Sequence, residues 1–211
     1  MFLYYITDRT QFPGTLSARI NALLRKICEA AAAGVDFIQL REKDLSTREL
    51  EQLARSAVKS VRENSGGRTR LLLNSRSDVA LAVGADGVHL RSQDISVSAA
   101  AEVWKLAGAN PPTIAVSCHG IRDVEQAAKG TTSFVVFAPV FEKGRITNDD
   151  GVATLKEACR QKIPVIALGG VTLENAKACL DAGAAGVAGI RLFQENDIAT
   201  TVQSLRAMRD C

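Results

Sequence analysis

A five-residue unit, Gly34-Val35-Asp36-Phe37-Ile38, constrains this chain more than any other stretch, because it comes back. It returns as Gly84-Ala85-Asp86-Gly87-Val88 and as Gly183-Ala184-Ala185-Gly186-Val187, with a weaker echo at Gly130-Thr131-Thr132-Ser133-Phe134. A glycine in this setting supplies the left-handed backbone that ends a helix, and the apolar run after it reads as a buried parallel strand. The glycines stand at 34, 84, 130 and 183, in steps of 50, 46 and 53 residues. One βα unit of a barrel takes roughly 25 residues, so each step spans about two units. The expectation is four βαβα quarters, an α/β fold made of a single (β/α)8 TIM barrel over residues 1–211.

The rest of the chain supplies the missing elements. Strands are expected at 2–6, 70–74, 87–90, 113–117, 134–138, 164–168 and 186–190, beside the one that opens at Phe37. Leu16, Ile20, Leu23, Leu24 and Ile27 recur at helical spacing and predict a helix to about Ala33. Ser46 stands three residues before Glu49, a capping box for a helix reaching about Arg62. Further helices are expected at 77–83, 97–107, 121–129, up to 160, after a Thr172 cap, and at 198–208.

Composition narrows the class. Hydrophobic residues make up 46% and aromatic residues 5%, which suits aliphatic strands and alanine-rich helices. The net charge of +3 is small and dispersed, so nothing calls for a nucleic-acid partner. No run of 18 apolar residues suggests a membrane span, and the first residues read as a strand rather than a signal sequence, so a cytoplasmic protein is expected. Five cysteines, at 28, 118, 159, 179 and 211, lack metal-type spacing; Cys28, Cys159 and Cys179 fall in expected helices and read as small buried hydrophobes.

In such barrels chemistry sits at the C-terminal ends of the strands. There the sequence offers Thr7-Asp8, Gln39, Arg41 and Lys43, Asn74-Ser75-Arg76, His89 and Asp94, Ser117 and His119, Lys143 and Arg145, Gly169-Gly170, and Gly189-Ile190-Arg191. If the second strand runs on to Lys43, alternation puts Gln39, Arg41 and Lys43 on one face, either an anion site or a solvated strand end. The Gly169-Gly170 turn brings backbone amides close, as a phosphate site or as a turn needed for geometry alone. Ser117 and His119 share a face while Cys118 points away, which argues against a Cys118–His119 dyad. His119 is a proton shuttle or a hydrogen-bonded wall residue. His89 has no obvious partner and reads as structural. Asp94 is a candidate magnesium ligand, although one carboxylate needs substrate phosphates and water to complete a shell.

Several of these stretches together resemble a known family. They are Gln39-Leu40-Arg41-Glu42-Lys43-Asp44, Asn74-x-Arg76-x-Asp78-Val79-Ala80-Leu81, Gly84-Ala85-Asp86-Gly87-Val88-His89-Leu90, Val116-Ser117-x-His119, Pro139-Val140-Phe141 and the Gly-Gly pair. In order and combination they resemble the thiamine phosphate synthase and thiazole tautomerase (TenI) superfamily. The resemblance implies that Gln39, Arg41, Lys43 and Asn74 hold an aminopyrimidine diphosphate and that Asp94 ligates magnesium on it. It implies that Ser117 lines the pocket, and that amides around Gly169, Gly170, Val171, Ile190 and Arg191 hold a thiazole phosphate. The reaction implied is loss of pyrophosphate followed by capture of the pyrimidine cation by the thiazole nitrogen. The partners expected are phosphorylated small molecules, with neither nucleic acid nor membrane; a homo-oligomer is allowed but not required.

Two departures from the synthase pattern pull the other way. Ser75 stands where the family's synthases have a second metal carboxylate, and the loop with Lys143 and Arg145 differs from their Thr-x-Thr-Lys clamp. Both changes lean toward the tautomerase branch, in which a histidine at the His119 position moves protons. Retention of Gln39, Lys43 and Asp94 leans toward the synthase, the first expectation. A non-catalytic binder of thiamine phosphates is the third.

Overall fold

A computed structural model describes residues 1–141 and 149–208. Strands β1 (Phe2–Ile6), β2 (Phe37–Leu40), β3 (Arg70–Asn74), β4 (Gly87–Leu90), β5 (Thr113–Cys118), β6 (Phe134–Phe137), β7 (Val165–Ala167) and β8 (Gly186–Gly189) pair in chain order, all parallel. β8 returns to β1 and closes the barrel expected from the repeats. Around it lie α1 (Leu16–Ala33), α2 (Thr47–Asn64), α3 (Ser77–Val83), α4 (Val97–Leu106), α5 (Ile121–Ala127), α6 (Asp149–Ala158), α7 (Ala176–Asp181), α8 (Arg191–Gln194) and α9 (Ile198–Ala207).

The repeated unit is a helix stop joined to a strand start. Gly34, Gly84 and Gly183 have φ of 81°, 68° and 98°. At each, the glycine amide and the next one donate back to helix carbonyls: Gly34 to Ala31 and Val35 to Ala30, Gly84 to Leu81 and Ala85 to Ala80, Gly183 to Leu180 and Ala184 to Cys179. The acidic member then stitches neighbouring strands, since Asp36 and Asp86 each accept from a backbone amide, of Leu3 and Leu71, at 2.7 Å. Ser133 does the same for Ile114 at 3.1 Å. Gly130 is not among the left-handed glycines, and only its own amide turns back, onto Ala127, which is why that echo is faint in sequence.

Inside the barrel, side chains stack in layers drawn from alternate strands. One layer takes Phe37 and Phe134 from β2 and β6, whose ring centroids are 4.6 Å apart. The matching positions of β4 and β8 are Gly87 and Gly186, where a Cβ would sit 1.9 and 2.0 Å from the Thr113 and Phe2 carbonyl oxygens. Two aromatic rings and two glycines thus fill one layer. Above it come Tyr4, Leu72, Ala115 and Ile166, then Gln39, His89, Val136 and Ala188, then Ile6, Asn74, Ser117 and Leu168. The two upper layers are polar on β2 to β5 and apolar on β1 and β6 to β8.

Several local expectations are corrected. β2 ends at Leu40, so period-two alternation does not carry to Lys43. Thr172 does not cap α7; the helix starts at Ala176, and Asn175 accepts from the Thr172 amide. Cys159 lies just past the end of α6 and is half-buried. The short α8 after β8 has no counterpart among the helices expected from the sequence. Cys211 lies outside the described residues. Among them no helix is long and apolar enough to cross a membrane.

Candidate active site

A cleft of about 360 Å³ opens at the C-terminal end of the barrel, lined on one side by Gln39, Arg41, Asn74, His89, Arg91, Ser117 and His119. Ile6, Val136, Ala138, Leu168 and Ile190 line the other side. This division follows the layers: polar groups from β2 to β5 face aliphatic ones from β1 and β6 to β8. Such a cleft can hold a flat ring on its apolar side and anionic groups on its polar side.

The floor is a hydrogen-bonded chain. His89 Nδ1 lies 2.9 Å from the Tyr4 hydroxyl and 2.7 Å from Gln39 Nε2, and His89 Nε2 lies 2.7 Å from Ser117 Oγ. Gln39 Nε2 also donates to the Tyr4 hydroxyl at 3.0 Å. The reading of His89 as a residue without a partner is therefore corrected: it sits within β4, 3% exposed, with three partners from other strands. Burial, helped by the charge of Arg41, pushes the imidazole down to about 3, so the ring is neutral at working pH. The same period-two rule that relates Ser117 to His119 would have placed His89 inward.

Arg41 lines the mouth of the cleft, and its guanidinium has no hydrogen bond or ion pair among the described residues. Its backbone is fixed from beneath. The Arg41 amide donates to Thr7 Oγ1, and Thr7 Oγ1 donates to Glu42 at 2.6 Å. Glu42 is buried and receives the Arg9 guanidinium at 3.0 Å, and Arg9 also grips Asp44 at 2.6 and 2.8 Å. Burial pushes the Glu42 carboxyl up, against the hydrogen bonds from Thr7 and Arg9. Glu42 is thereby turned inward to Arg9, and Lys43 is left exposed and outside the cleft lining.

Ser75, Asp94 and Arg91 form a second cluster. Ser75 has a left-handed backbone, φ 63°, and its hydroxyl accepts from Asn74 at 3.0 Å. Asp94 accepts from the Arg91 amide at 2.7 Å and from its guanidinium at 3.0 Å. Burial raises the Asp94 carboxyl, but hydrogen bonds from Arg91 and Ser75 outweigh it and hold it below the usual range. Among the described residues no group of three or more His, Cys, Asp or Glu side chains could enclose a metal. A carboxylate beside a hydroxyl still offers the hard oxygens that magnesium takes when phosphates and water complete its shell. The donor set fits the ion in that partial form.

His119 stands at the rim. Its Nδ1 is 2.7 Å from the Ala138 carbonyl oxygen, which can only accept, so Nδ1 carries the proton and a neutral ring keeps its lone pair on Nε2. Cys118, on the opposite strand face, is buried, and its thiol is pushed up to about 12, which agrees with the reading against a Cys118–His119 dyad.

Gly169 and Gly170 have φ of 97° and 66°. A Cβ at Gly169 would meet Pro139 Cα at 2.8 Å, and one at Gly170 would meet the Phe141 carbonyl oxygen at 2.9 Å. Close packing against the segment after β6 therefore requires both glycines, whatever they bind. Their amides and that of Val171 have no hydrogen-bond acceptor among the described residues. The Val171 side chain is buried in the core, Arg191 is exposed, and of this group only Ile190 lines the cleft. Lys143 and Arg145 lie outside the described residues. Arg91, Ser92 and Gln93 line the cleft without having been singled out; alternation from Gly87 through His89 would have drawn attention to Arg91.

Comparison with known proteins gives a consistent result. A family model described as thiamine monophosphate synthase matches residues 3–193. The thiamine-phosphate synthase of Methanoculleus marisnigri is 36% identical over 214 residues, covering 97% of this chain and 93% of the relative. That of Clostridium novyi is 32% identical over 199 residues, covering 92% and 91%. The solved thiamine phosphate pyrophosphorylase of Pyrococcus furiosus superimposes with a TM-score of 0.81 at 28% identity, covering 99% of this chain and 95% of that one.

Proposed function

The chain belongs to the thiamine monophosphate synthase family, and from that premise we propose that it joins an aminopyrimidine diphosphate to a thiazole phosphate, giving thiamine phosphate and pyrophosphate. The observation that supports this most is the two-sided cleft, with Arg41 and Arg91 at its mouth, a Gln39–His89–Ser117 floor and an aliphatic wall opposite. Arg41 neutralises the diphosphate, while Gln39, Asn74 and Ser117 orient the pyrimidine. Ile6, Val136, Leu168 and Ile190 cover the ring faces and keep water from the cation left when the C–O bond to the diphosphate breaks. The thiazole nitrogen then forms the new C–N bond. The amides of Gly169, Gly170 and Val171 hold the thiazole phosphate in this reading. Asp94 and the Ser75 hydroxyl would hold magnesium, which supplies positive charge to the departing diphosphate. A reaction of freely diffusing phosphorylated intermediates suits the cytoplasm.

A second reading stays in view because of one contact. The Nδ1 bond to Ala138 leaves His119 Nε2 as a base, which is what a thiazole tautomerase needs. Two variants separate the readings. Aspartate adopts left-handed backbone more readily than serine, so Ser75→Asp fits φ 63° and sets a second carboxylate beside Asp94. A synthase then needs less magnesium for half-maximal rate and gains a larger magnesium-dependent rise in Tm, while His119→Asn has a modest effect. A tautomerase shows the inverse: no benefit from Ser75→Asp, and a loss of about 10²–10⁴-fold in proton exchange with His119→Asn.

A further inference from the structure

We propose that His89 is a positioning residue, whose Nε2–H donates to the Ser117 oxygen and so turns the Ser117 hydroxyl proton out into the cleft as a donor to the pyrimidine substrate. The inference rests on the reading that Ser117 faces that substrate.

The neighbours of His89 fix the direction of the chain. On the Nδ1 side stand the Gln39 amide nitrogen, 2.7 Å away, and the Tyr4 hydroxyl, 2.9 Å away. An amide nitrogen only donates, so Nδ1 must accept, and the single proton of a neutral ring then lies on Nε2. The atom facing Nε2 is Ser117 Oγ at 2.7 Å. A hydroxyl that accepts from the imidazole keeps its own proton for another acceptor, and the remaining side of Ser117 is the cleft. Tyr4 is held un-ionised by burial, so no charge enters this chain from below.

Packing does not call for such a chain. Val136 and Ala188 fill the other half of the same layer with aliphatic carbon. A buried polar network stabilises a fold only when each member is satisfied, and a half-satisfied one is worse than an apolar core. This one runs from a fully buried tyrosine to a hydroxyl on the cleft wall, and its last proton waits for a ligand. That is the arrangement of a group held ready for recognition, because the Ser117 rotor is fixed before substrate arrives.

The chain has two histidines, so the ring nitrogens are readily assigned by nitrogen NMR, with His119→Asn identifying the other. The expected spectrum of the wild type is a neutral His89 with Nε2 protonated, unchanged from about pH 8 to about pH 5. A ring protonated on Nδ1, or a charged one, overturns the proposal, and this measurement needs no variant at His89 to fold. In synthase assays His89→Leu is expected to lower kcat/KM by about 10- to 100-fold. His89→Gln, which keeps a donor near the Nε2 position, should recover most of that loss. In a Ser117→Ala background His89→Leu should cost nothing more, because both changes remove one interaction. Losses that add, or a Ser117→Ala enzyme with unchanged kcat/KM, overturn the positioning role while the synthase reading stands. A wild type that releases no pyrophosphate fails the synthase reading instead, and the tautomer measurement then decides on His89 alone.

Discussion

Replacing Arg9 with alanine is expected to destabilise the protein by about 3 kcal/mol, the lower end of what removing one partner of a buried ion pair costs. The Arg9 and Glu42 side chains are 5% and 1% exposed, so the Glu42 charge would be left in the interior without its cation. Two features keep the loss from being larger. Glu42 retains the Thr7 hydroxyl and the residue-9 backbone amide, and its already raised carboxyl takes up a proton more readily than an exposed one. The bonds to Asp44 add little, because that carboxylate is 61% exposed and screened by water. For a chain of this size the loss lowers Tm by roughly 6–12 °C. Pairing Arg9→Met with Glu42→Gln removes both charges and should be milder than Arg9→Met alone. Thermal melts of the three variants check this; an Arg9→Ala protein within about 1 °C of wild type would show that the pair carries no such burden.

Arg41→Ala is expected to weaken binding of the pyrimidine diphosphate by about 10- to 100-fold, since a hydrogen bond to a charged group contributes about 1.5–3 kcal/mol. The Tm should barely move, because the guanidinium has no partner among the described residues to lose. Lys43→Ala should be much weaker, as that residue stands outside the cleft lining. Calorimetric titration with the diphosphate measures both. Equal effects at the two positions would mean that the loop after β2 closes differently over ligand.

What the sequence disclosed, and what it withheld, follows from the range of the interactions. The glycine units were legible because a helix stop and the strand start after it are local, and each is written within five consecutive residues. Gln39, Arg41, Asn74, Ser117 and His119 could be placed at one end because strand ends in a barrel share that end. The partners of His89 could not be read, since Tyr4, Gln39 and Ser117 come from three other strands and meet only through the register of the closed sheet. Strand alternation does not reach Lys43, because the chain after Leu40 is held through Glu42 by Arg9, a residue 33 positions away. The glycine pair shows a third limit: packing against Pro139 and Phe141 explains both residues before any phosphate is invoked.

The most direct measurement supplies the purified protein with the aminopyrimidine diphosphate, the thiazole phosphate and magnesium, and follows pyrophosphate and thiamine phosphate together. The expected result is release of the two products in equal amounts, requiring both substrates and stopping when magnesium is chelated. Proton exchange on a thiazole carboxylate phosphate without metal and without pyrophosphate, or tight binding of both substrates with no turnover, would contradict it.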